Sequence, residues 1–219
     1  MEPLVRPALL TFDVFGTLLD WRRGMRQAVE RAGGPWNEAT FDRVVDAQGR
    51  AEGGHGDAFR RYADITAESL VEVVGLSPAA AEAIGATVGT WPPYPDSPEG
   101  LRRLMRVAPC AAMTNSDRAH GVQAQESLGV RLTHWICAEE SRAYKPSPDV
   151  WRYVSRTLGV PFGRSWWHVS AYGDYDLATA RSLGLTCVYV ERPHARPGPE
   201  DVHVGDLIEL AAVVESLVR

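Results

Sequence analysis

Asp13 is the residue whose position offers the clearest chemistry. It follows the apolar run "ALLTF" and precedes "VFGT", so a buried strand would carry a carboxylate at its end. Such a carboxylate can act as a nucleophile when neighbouring groups orient one of its oxygens. Gly16 permits a tight turn there, and the Thr17 hydroxyl can hydrogen-bond the carboxylate or an ester formed from it. The simpler alternative for Asp13 is a helix cap.

Lys145 is the only lysine in a chain that has 22 arginines. Such an imbalance is typical of a GC-rich coding sequence. A lysine kept against it indicates a task that suits a compact ammonium on a flexible stem and that a planar guanidinium cannot perform. The alternative is a surface residue without a special role.

The composition is that of an ordinary globular protein, with 45% apolar residues and a formal net charge of -5. We therefore expect a small-molecule substrate and no nucleic-acid or membrane partner, because no basic surface is indicated. No apolar run approaches the roughly 18 residues of a membrane span. The N-terminal residues lack the cationic and apolar regions of a signal peptide. We expect a cytoplasmic protein, and a homodimer is left open.

Short apolar runs rich in β-formers alternate with stretches of helical periodicity. The runs are "ALLTFDVF", "APCAAMTN", "HWICAEE", "WWHVSAY" and "TCVYVER". This alternation predicts an α/β fold, a doubly wound parallel sheet with helices on both faces. Ligands of such sheets bind at the carboxyl ends of the strands. We therefore expect four loops to meet in one crevice, and they carry Asp13, Thr114 with Asn115, Glu139 with Glu140, and residues 170–176.

Residues 20–95 contain a series of helical patterns and separate the first predicted strand from the second. This stretch is too long for one crossover connection. We predict a helical cap domain over 20–95, inserted into a core domain formed by 1–19 and 96–219. A cap of this kind would close over the crevice.

Four motifs occur in a set order along the chain: "FDVFGTLLD", "MTNSD", "AYKPSPDVW" and "HVSAYGDYDLATARSLGL". Together they resemble the haloacid dehalogenase superfamily of hydrolases, and within it the L-2-haloacid dehalogenase branch. The resemblance implies that Asp13 is the nucleophile and that Lys145 lies beside it and keeps it ionised. It also implies that Thr114 and Asn115 bind the substrate carboxylate or developing charge. Asp176 aligns with the last acid of the family, near which water would be activated.

Phe15 indicates which reaction of the superfamily to expect. Phosphatases of the superfamily place a second aspartate two residues after the nucleophile, because an alkoxide leaving group needs a proton. Dehalogenases carry an aromatic residue there, and Phe15 matches them. Halide leaves without a proton. The resemblance therefore favours displacement of halide from a small 2-substituted carboxylic acid through an aspartyl ester.

Residues 170–176, which we call the last acidic loop, depart from the patterns of both phosphatases and dehalogenases. The position of the metal-binding acid of phosphatases holds Ala171 or Tyr172, so we predict no obligatory metal or other cofactor, and Mg²⁺ only under a phosphatase alternative. The Ser and Asn of dehalogenases align with Ala171 and Gly173. Tyr172, Asp174 or Ser170 would then have to take over their role, and Tyr172 is the candidate for contact with the substrate. A protein that binds a small carboxylate without turnover is a further alternative.

Two more candidates follow from the resemblance alone. Dehalogenases use an arginine of the cap to bind the departing halide, and Arg43 is the best match, with Arg60 and Arg61 as competitors. Trp151 stands where the family has a tyrosine near the substrate. That exchange would enlarge the pocket and remove a hydroxyl.

Overall fold

The protein is built around a parallel β-sheet in the computed structural model, which describes residues 3–53 and 56–218. The strands within those residues are β1 (Leu9–Phe12), β2 (Cys110–Thr114), β3 (His134–Cys137), β4 (Trp166–Ser170), β5 (Thr186–Val190) and β6 (Val202–Val204). They pair in the spatial order β3-β2-β1-β4-β5-β6, and every pairing is parallel. The predicted α/β fold with a doubly wound parallel sheet is confirmed.

Helices cover both faces of the sheet, because successive strand residues point to opposite sides. Leu10 of β1 belongs to one buried apolar cluster, which also contains residues of α5 (Ser97–Leu104) and α10 (Leu207–Ser216). Its neighbour Leu9 belongs to a second cluster, which contains residues of α8 (Pro148–Leu158) and α9 (Ala178–Ser182). The nearly continuous apolar character of the strands follows from this burial on both faces.

The stretch between β1 and β2 holds the helices predicted for a cap. They are α1 (Trp21–Arg31), α2 (Glu38–Ala51), α3 (Tyr62–Val74) and α4 (Pro78–Gly85), and we call them the helical insertion. Asn37 begins α2 with a reciprocal cap, since its side chain accepts from the Thr40 N–H at 3.0 Å and its own N–H donates to Thr40 Oγ1 at 3.1 Å. The remaining helices are α6 (Arg118–Leu128) and α7 (Ala138–Ser141). The division of the chain into core and cap domains stays a prediction.

The helical insertion is attached to the carboxyl edge of the sheet by polar contacts. The Asp117 carboxylate, just after β2, accepts from the backbone N–H groups of Tyr62 and Ala63 at 2.9 Å each. A carboxylate at this place also suits the positive end of α3. The Tyr144 hydroxyl donates to the Arg60 carbonyl at 2.8 Å. These contacts fix where the first turn of α3 lies relative to the strand ends.

The sequence analysis did not find β6. This strand has only three residues, and exposed His203 separates its two buried valines, so it offers little apolar signal. No helix in the described part of the chain is long and apolar enough to cross a membrane.

Candidate active site

Asp13 lies at the carboxyl end of β1, where its backbone N–H donates to the Val169 carbonyl of β4 at 3.0 Å. The residue is only 4% exposed. Thr17 Oγ1 donates to Asp13 Oδ2 at 2.7 Å and accepts from the Ala171 N–H at 3.0 Å. This chain of hydrogen bonds fixes the orientation of the carboxylate.

The turn after Asp13 requires glycine at position 16. Gly16 has φ of +89°, which side chains rarely tolerate, and a Cβ there would collide with the ring of Tyr172. The missing side chain therefore lets Tyr172 of the last acidic loop lie against the turn that follows Asp13.

Lys145 joins two buried carboxylates. Its Nζ donates to Asp13 Oδ1 at 2.9 Å and to Asp176 Oδ2 at 2.8 Å. The lysine comes from the loop between α7 and α8, whereas Asp176 lies in a π-helical turn, Gly173–Leu177. Three loops from separate strands thus deliver one ammonium and two carboxylates to the same place.

Burial raises the pKa of the Asp13 carboxyl above its usual 3.8; Lys145 opposes the rise and Asp176 adds to it. Burial also disfavours ionised Asp176, but the Lys145 charge and the contact with His168 outweigh it, and the pKa of Asp176 falls below its usual range. Burial disfavours charged Lys145 too, yet both carboxylates outweigh it and raise its pKa. Lys145 therefore favours ionised Asp13, but burial wins, so Asp13 takes up a proton more readily than an ordinary aspartate.

His168 contacts Asp176 from within the sheet. Its Nε2 lies 3.1 Å from Asp176 Oδ1, and neither atom has another hydrogen-bond partner in the described residues. On the other side of the ring, Nδ1 lies 2.8 Å from Thr11 Oγ1, which accepts a hydrogen bond from Trp166 Nε1 at 2.8 Å. Thr11 Oγ1 also lies 3.3 Å from the Trp167 carbonyl, to which it can donate. Because an ionised carboxylate can only accept a hydrogen bond, the contact with Asp176 places a ring N–H on Nε2.

Asn115 is fully engaged. Its Nδ2 donates to the Lys145 carbonyl at 3.0 Å and to Glu52 Oε2 at 3.1 Å, and its Oδ1 accepts from the Lys145 N–H at 2.8 Å. Both amide hydrogens are therefore used. The neighbouring Thr114 hydroxyl is buried and has no hydrogen-bond partner among the residues that the structure describes.

Glu52 reaches this site from the end of α2. Burial raises its pKa to about 8, although the Asn115 hydrogen bond and the Lys145 charge both oppose the rise. The Glu52 carboxyl group is therefore mainly neutral near pH 7, unlike an ordinary surface glutamate.

A cavity of about 830 Å³ lies over Asp13, between the strand ends and the helical insertion. This volume is typical of a small-molecule site. Phe15 forms part of its floor and packs against Tyr62 and Trp91, with ring centroids 6.1 Å and 6.0 Å away. The aromatic side chains along the cavity are Phe15, Trp21, Tyr62, Tyr144, Tyr172 and Tyr175.

The sequence model of the haloacid dehalogenase-like hydrolases matches residues 7–184. The chain belongs to this hydrolase family. No curated protein matches the sequence closely enough to count as a relative.

Solved structures of haloacid dehalogenases share this fold over nearly the whole chain. The L-2-haloacid dehalogenase from Xanthobacter autotrophicus has a TM-score of 0.84 at 20% identity, covering 96% of this chain and 99% of its own. A defluorinating L-2-haloacid dehalogenase has a TM-score of 0.82 at 22% identity, covering 95% of each chain. A further L-2-haloacid dehalogenase has a TM-score of 0.80 at 25% identity, covering 96% of this chain and 99% of its own.

Most of the residues predicted for the site of this hydrolase come together in the structure. Asp13, Thr17, Lys145 and Asp176 form one hydrogen-bonded group. The cavity lining also includes the predicted substrate contacts Phe15, Thr114, Asn115 and Tyr172. Their catalytic and binding roles stay predictions.

Arg43 does not reach the cavity, which corrects its predicted contact with a leaving group. It is exposed on α2, whose buried face carries Phe41, Val44 and Gln48. Its competitors Arg60 and Arg61 also lie outside the lining. Both form ion pairs with acids of α3.

Trp151 also differs from its predicted place. The side chain is fully buried beneath the sheet, where its ring centroid lies 5.7 Å from that of His168. It is absent from the cavity lining. Trp151 therefore packs against the residue that supports Asp176 and does not enlarge the pocket.

Glu52, Tyr175 and Arg196 also line the cavity and were not predicted from the sequence. Arg196 follows β5, and its backbone pairs with the last acidic loop through the Ala171 carbonyl at 2.9 Å and the Gly173 N–H at 2.6 Å. Tyr175 lies inside the last motif, directly before Asp176, so that motif could have indicated it. Glu52 and Arg196 lie outside the four motifs, and only the folded chain places them at the site.

Glu139 and Glu140 do not line the cavity, although they follow β3. Glu139 accepts from the Arg118 N–H at 2.8 Å, and Glu140 accepts from the Cys137 N–H at 3.2 Å. Both carboxylates therefore cap backbone groups near the strand ends.

Proposed function

We propose that this hydrolase cleaves the carbon–halogen bond of a small 2-halogenated carboxylic acid, or of a neutral derivative of one, without a metal. The observation that carries the proposal is the pairing of Asp13 with Lys145 and Thr17 while Phe15, two residues on, cannot donate a proton. A leaving group that departs as a stable anion needs no acid at that position.

The first step is displacement at carbon. An Asp13 carboxylate oxygen forms a bond to C2 of the substrate, and halide leaves with the electron pair of the carbon–halogen bond. Lys145 and Thr17 hold the carboxylate in place for the attack. The product of this step is an aspartyl ester.

The second step is hydrolysis of that ester. Water adds to the ester carbonyl of Asp13, the bond from the ester oxygen to the carbonyl carbon breaks, and a 2-hydroxy product leaves. Esterification removes the charge of Asp13, so Lys145 then has only Asp176 as its anionic partner. We assign Asp176 to orient the water and to receive its proton, with His168 holding the other carboxylate oxygen. Asp176 then passes that proton to the departing ester oxygen, and the regenerated Asp13 carboxyl group releases the second proton of the water to solvent.

The residues present do not fit a magnesium site of the kind that the phosphatase alternative needs. Mg²⁺ requires several oxygen ligands in near-octahedral geometry. The Lys145 ammonium bridges Asp13 and Asp176, and Phe15 offers no carboxylate. The described residues contain no group of three or more His, Cys, Asp or Glu side chains that could hold a metal ion.

Release of halide tests the proposal. We expect steady halide release from 2-chloropropionate or 2-chloropropionamide in the presence of a chelator. A panel of phosphate esters with and without Mg²⁺ provides the comparison. Metal-dependent phosphate release without halide release would contradict the proposal. A ligand that raises the melting temperature but is never consumed would instead favour a binding protein.

A further inference from the structure

Glu52 occupies the hydrogen-bonding position on the Asn115 amide that a substrate carboxylate would need. The family resemblance assigns Asn115 to such a carboxylate, but its amide already donates to Glu52 Oε2 at 3.1 Å and to the Lys145 carbonyl at 3.0 Å. The second of these bonds is paired with the bond from the Lys145 N–H to Asn115 Oδ1. Asn115 therefore cannot receive another acceptor without losing Glu52 or loosening the lysine loop.

The cations that line the cavity are not placed to neutralise the charge of an anion bound beside Glu52, because each of them already lies near another carboxylate. Lys145 is held by two carboxylates at 2.9 Å and 2.8 Å. Arg50 is exposed and pairs with another acid of the helical insertion at 3.1 Å. Arg196 follows β5 and lies against the last acidic loop, 3.7 Å from Asp174. Glu52 itself forms no ion pair within the described part of the chain.

A primary carboxamide complements Glu52 in either protonation state. An ionised carboxylate accepts the amide N–H, and a neutral carboxyl group both accepts the N–H and donates its O–H to the amide oxygen. A free carboxylate can pair only with the neutral form, and it meets like charge when Glu52 is ionised. The aromatic wall leaves the remainder of the cavity suited to a small, largely apolar body.

We propose that Glu52 is a specificity-determining residue that makes this cavity prefer a small neutral carboxamide over the corresponding free carboxylate. This inference rests on the proposed function for its substrate class, a 2-halo carboxamide. The selectivity itself is a property of binding and does not require turnover.

Binding of two unreactive ligands tests the selectivity. Propionamide and propionate have nearly the same shape and differ in charge, and calorimetric titration at about pH 9, above the pKa of Glu52 of about 8, gives both dissociation constants while Glu52 is mainly ionised. We expect the wild-type protein to bind propionamide at least about tenfold more tightly than propionate. Glu52→Gln keeps the shape of the side chain, still pairs with an amide and can donate to a carboxylate, so the preference should fall to within about threefold.

Asp46→Asn is the matched control, because it makes the same exchange of an acid for its amide at an exposed residue of the same cavity. It should leave the preference for propionamide unchanged. Equal or tighter binding of propionate by the wild-type protein would overturn the inference. An identical loss of preference in Asp46→Asn and Glu52→Gln would overturn it, as would failure of the wild-type protein to bind either ligand. Since neither ligand carries a halogen, these outcomes are independent of halide release.

Discussion

The two sides of the cavity are built differently. On the sheet side, Asp13, Lys145 and Asp176 are fully buried and joined by hydrogen bonds of 2.8 Å and 2.9 Å. On the side of the helical insertion, Glu52 is only partly buried and is held by the Asn115 amide at 3.1 Å. Under the two proposals above, the sheet supplies the reactive groups, whereas the insertion supplies a contact that selects the substrate.

The largest loss of activity is expected on substitution of Lys145, which contacts both carboxylates of the sheet side. Lys145→Met leaves two buried carboxylates without a cation, so one of them takes up a proton and turnover should fall by at least about a thousandfold. Lys145→Arg keeps the charge but puts a wide planar group in a closed space. We expect it to lose activity on the order of a hundredfold.

Steady-state halide release measures both variants, and circular dichroism shows whether each one folds. Turnover at the wild-type rate in folded Lys145→Met would contradict the proposal that Lys145 holds Asp13 for the reaction. Full activity of Lys145→Arg would show that only the charge matters, and not the geometry of a single ammonium.

A smaller effect is expected at His168, which reaches the reactive groups only through Asp176. His168→Phe keeps an aromatic ring but removes the nitrogen that lies 3.1 Å from Asp176 Oδ1. We expect kcat to fall about tenfold, with KM nearly unchanged, because the orientation of Asp176 is disturbed. Loss of the His168 contact also raises the pKa of Asp176, so the acid limb of the pH–rate profile should move upward. A lower melting temperature with an unchanged pH profile would mean that His168 only packs.

Glu52→Gln should change the pH dependence of stability. Because the folded-state pKa of Glu52 is about 8 and its usual value is 4.5, folded protein holds a proton that unfolded protein loses between these values. Stability from Glu52 is thus fully present below pH 4.5 and is lost as pH rises towards 8. The melting temperature of Glu52→Gln relative to wild type should therefore increase between about pH 5 and about pH 9. A difference in melting temperature between the two proteins that stays constant with pH would contradict the raised pKa of Glu52 in the folded protein.

The smallest effect is expected at Arg43. The side chain is exposed on α2 and lies outside the cavity lining, so Arg43→Gln should change kcat/KM by less than about twofold. A large increase in KM for the halogenated substrate would show that α2 approaches the cavity differently when substrate is bound.

The sheet side could be predicted from sequence, because Asp13 and Asp176 each follow an apolar run and parallel strands end at one edge. The solitary Lys145 added a signal independent of the motifs. Glu52 could not be predicted, since its meeting with Asn115 joins two residues that are remote in sequence and depends on how the helical insertion packs. Helical periodicity could have shown that neither Arg43 nor Trp151 faces the cavity. Phe41, Val44 and Gln48 place Arg43 on the outer face of α2, and Val150 and Val154 place Trp151 towards the sheet.

The most direct test of the central claim is isotope incorporation into Asp13. A single turnover with excess protein in ¹⁸O-labelled water, followed by mass spectrometry of the peptide that contains Asp13, reports whether water attacks an aspartyl ester. We expect one labelled oxygen in the Asp13 carboxylate and an unlabelled 2-hydroxy product. Label that appears only in the product would mean that water attacks the substrate carbon directly, and Asp13 would not be the nucleophile.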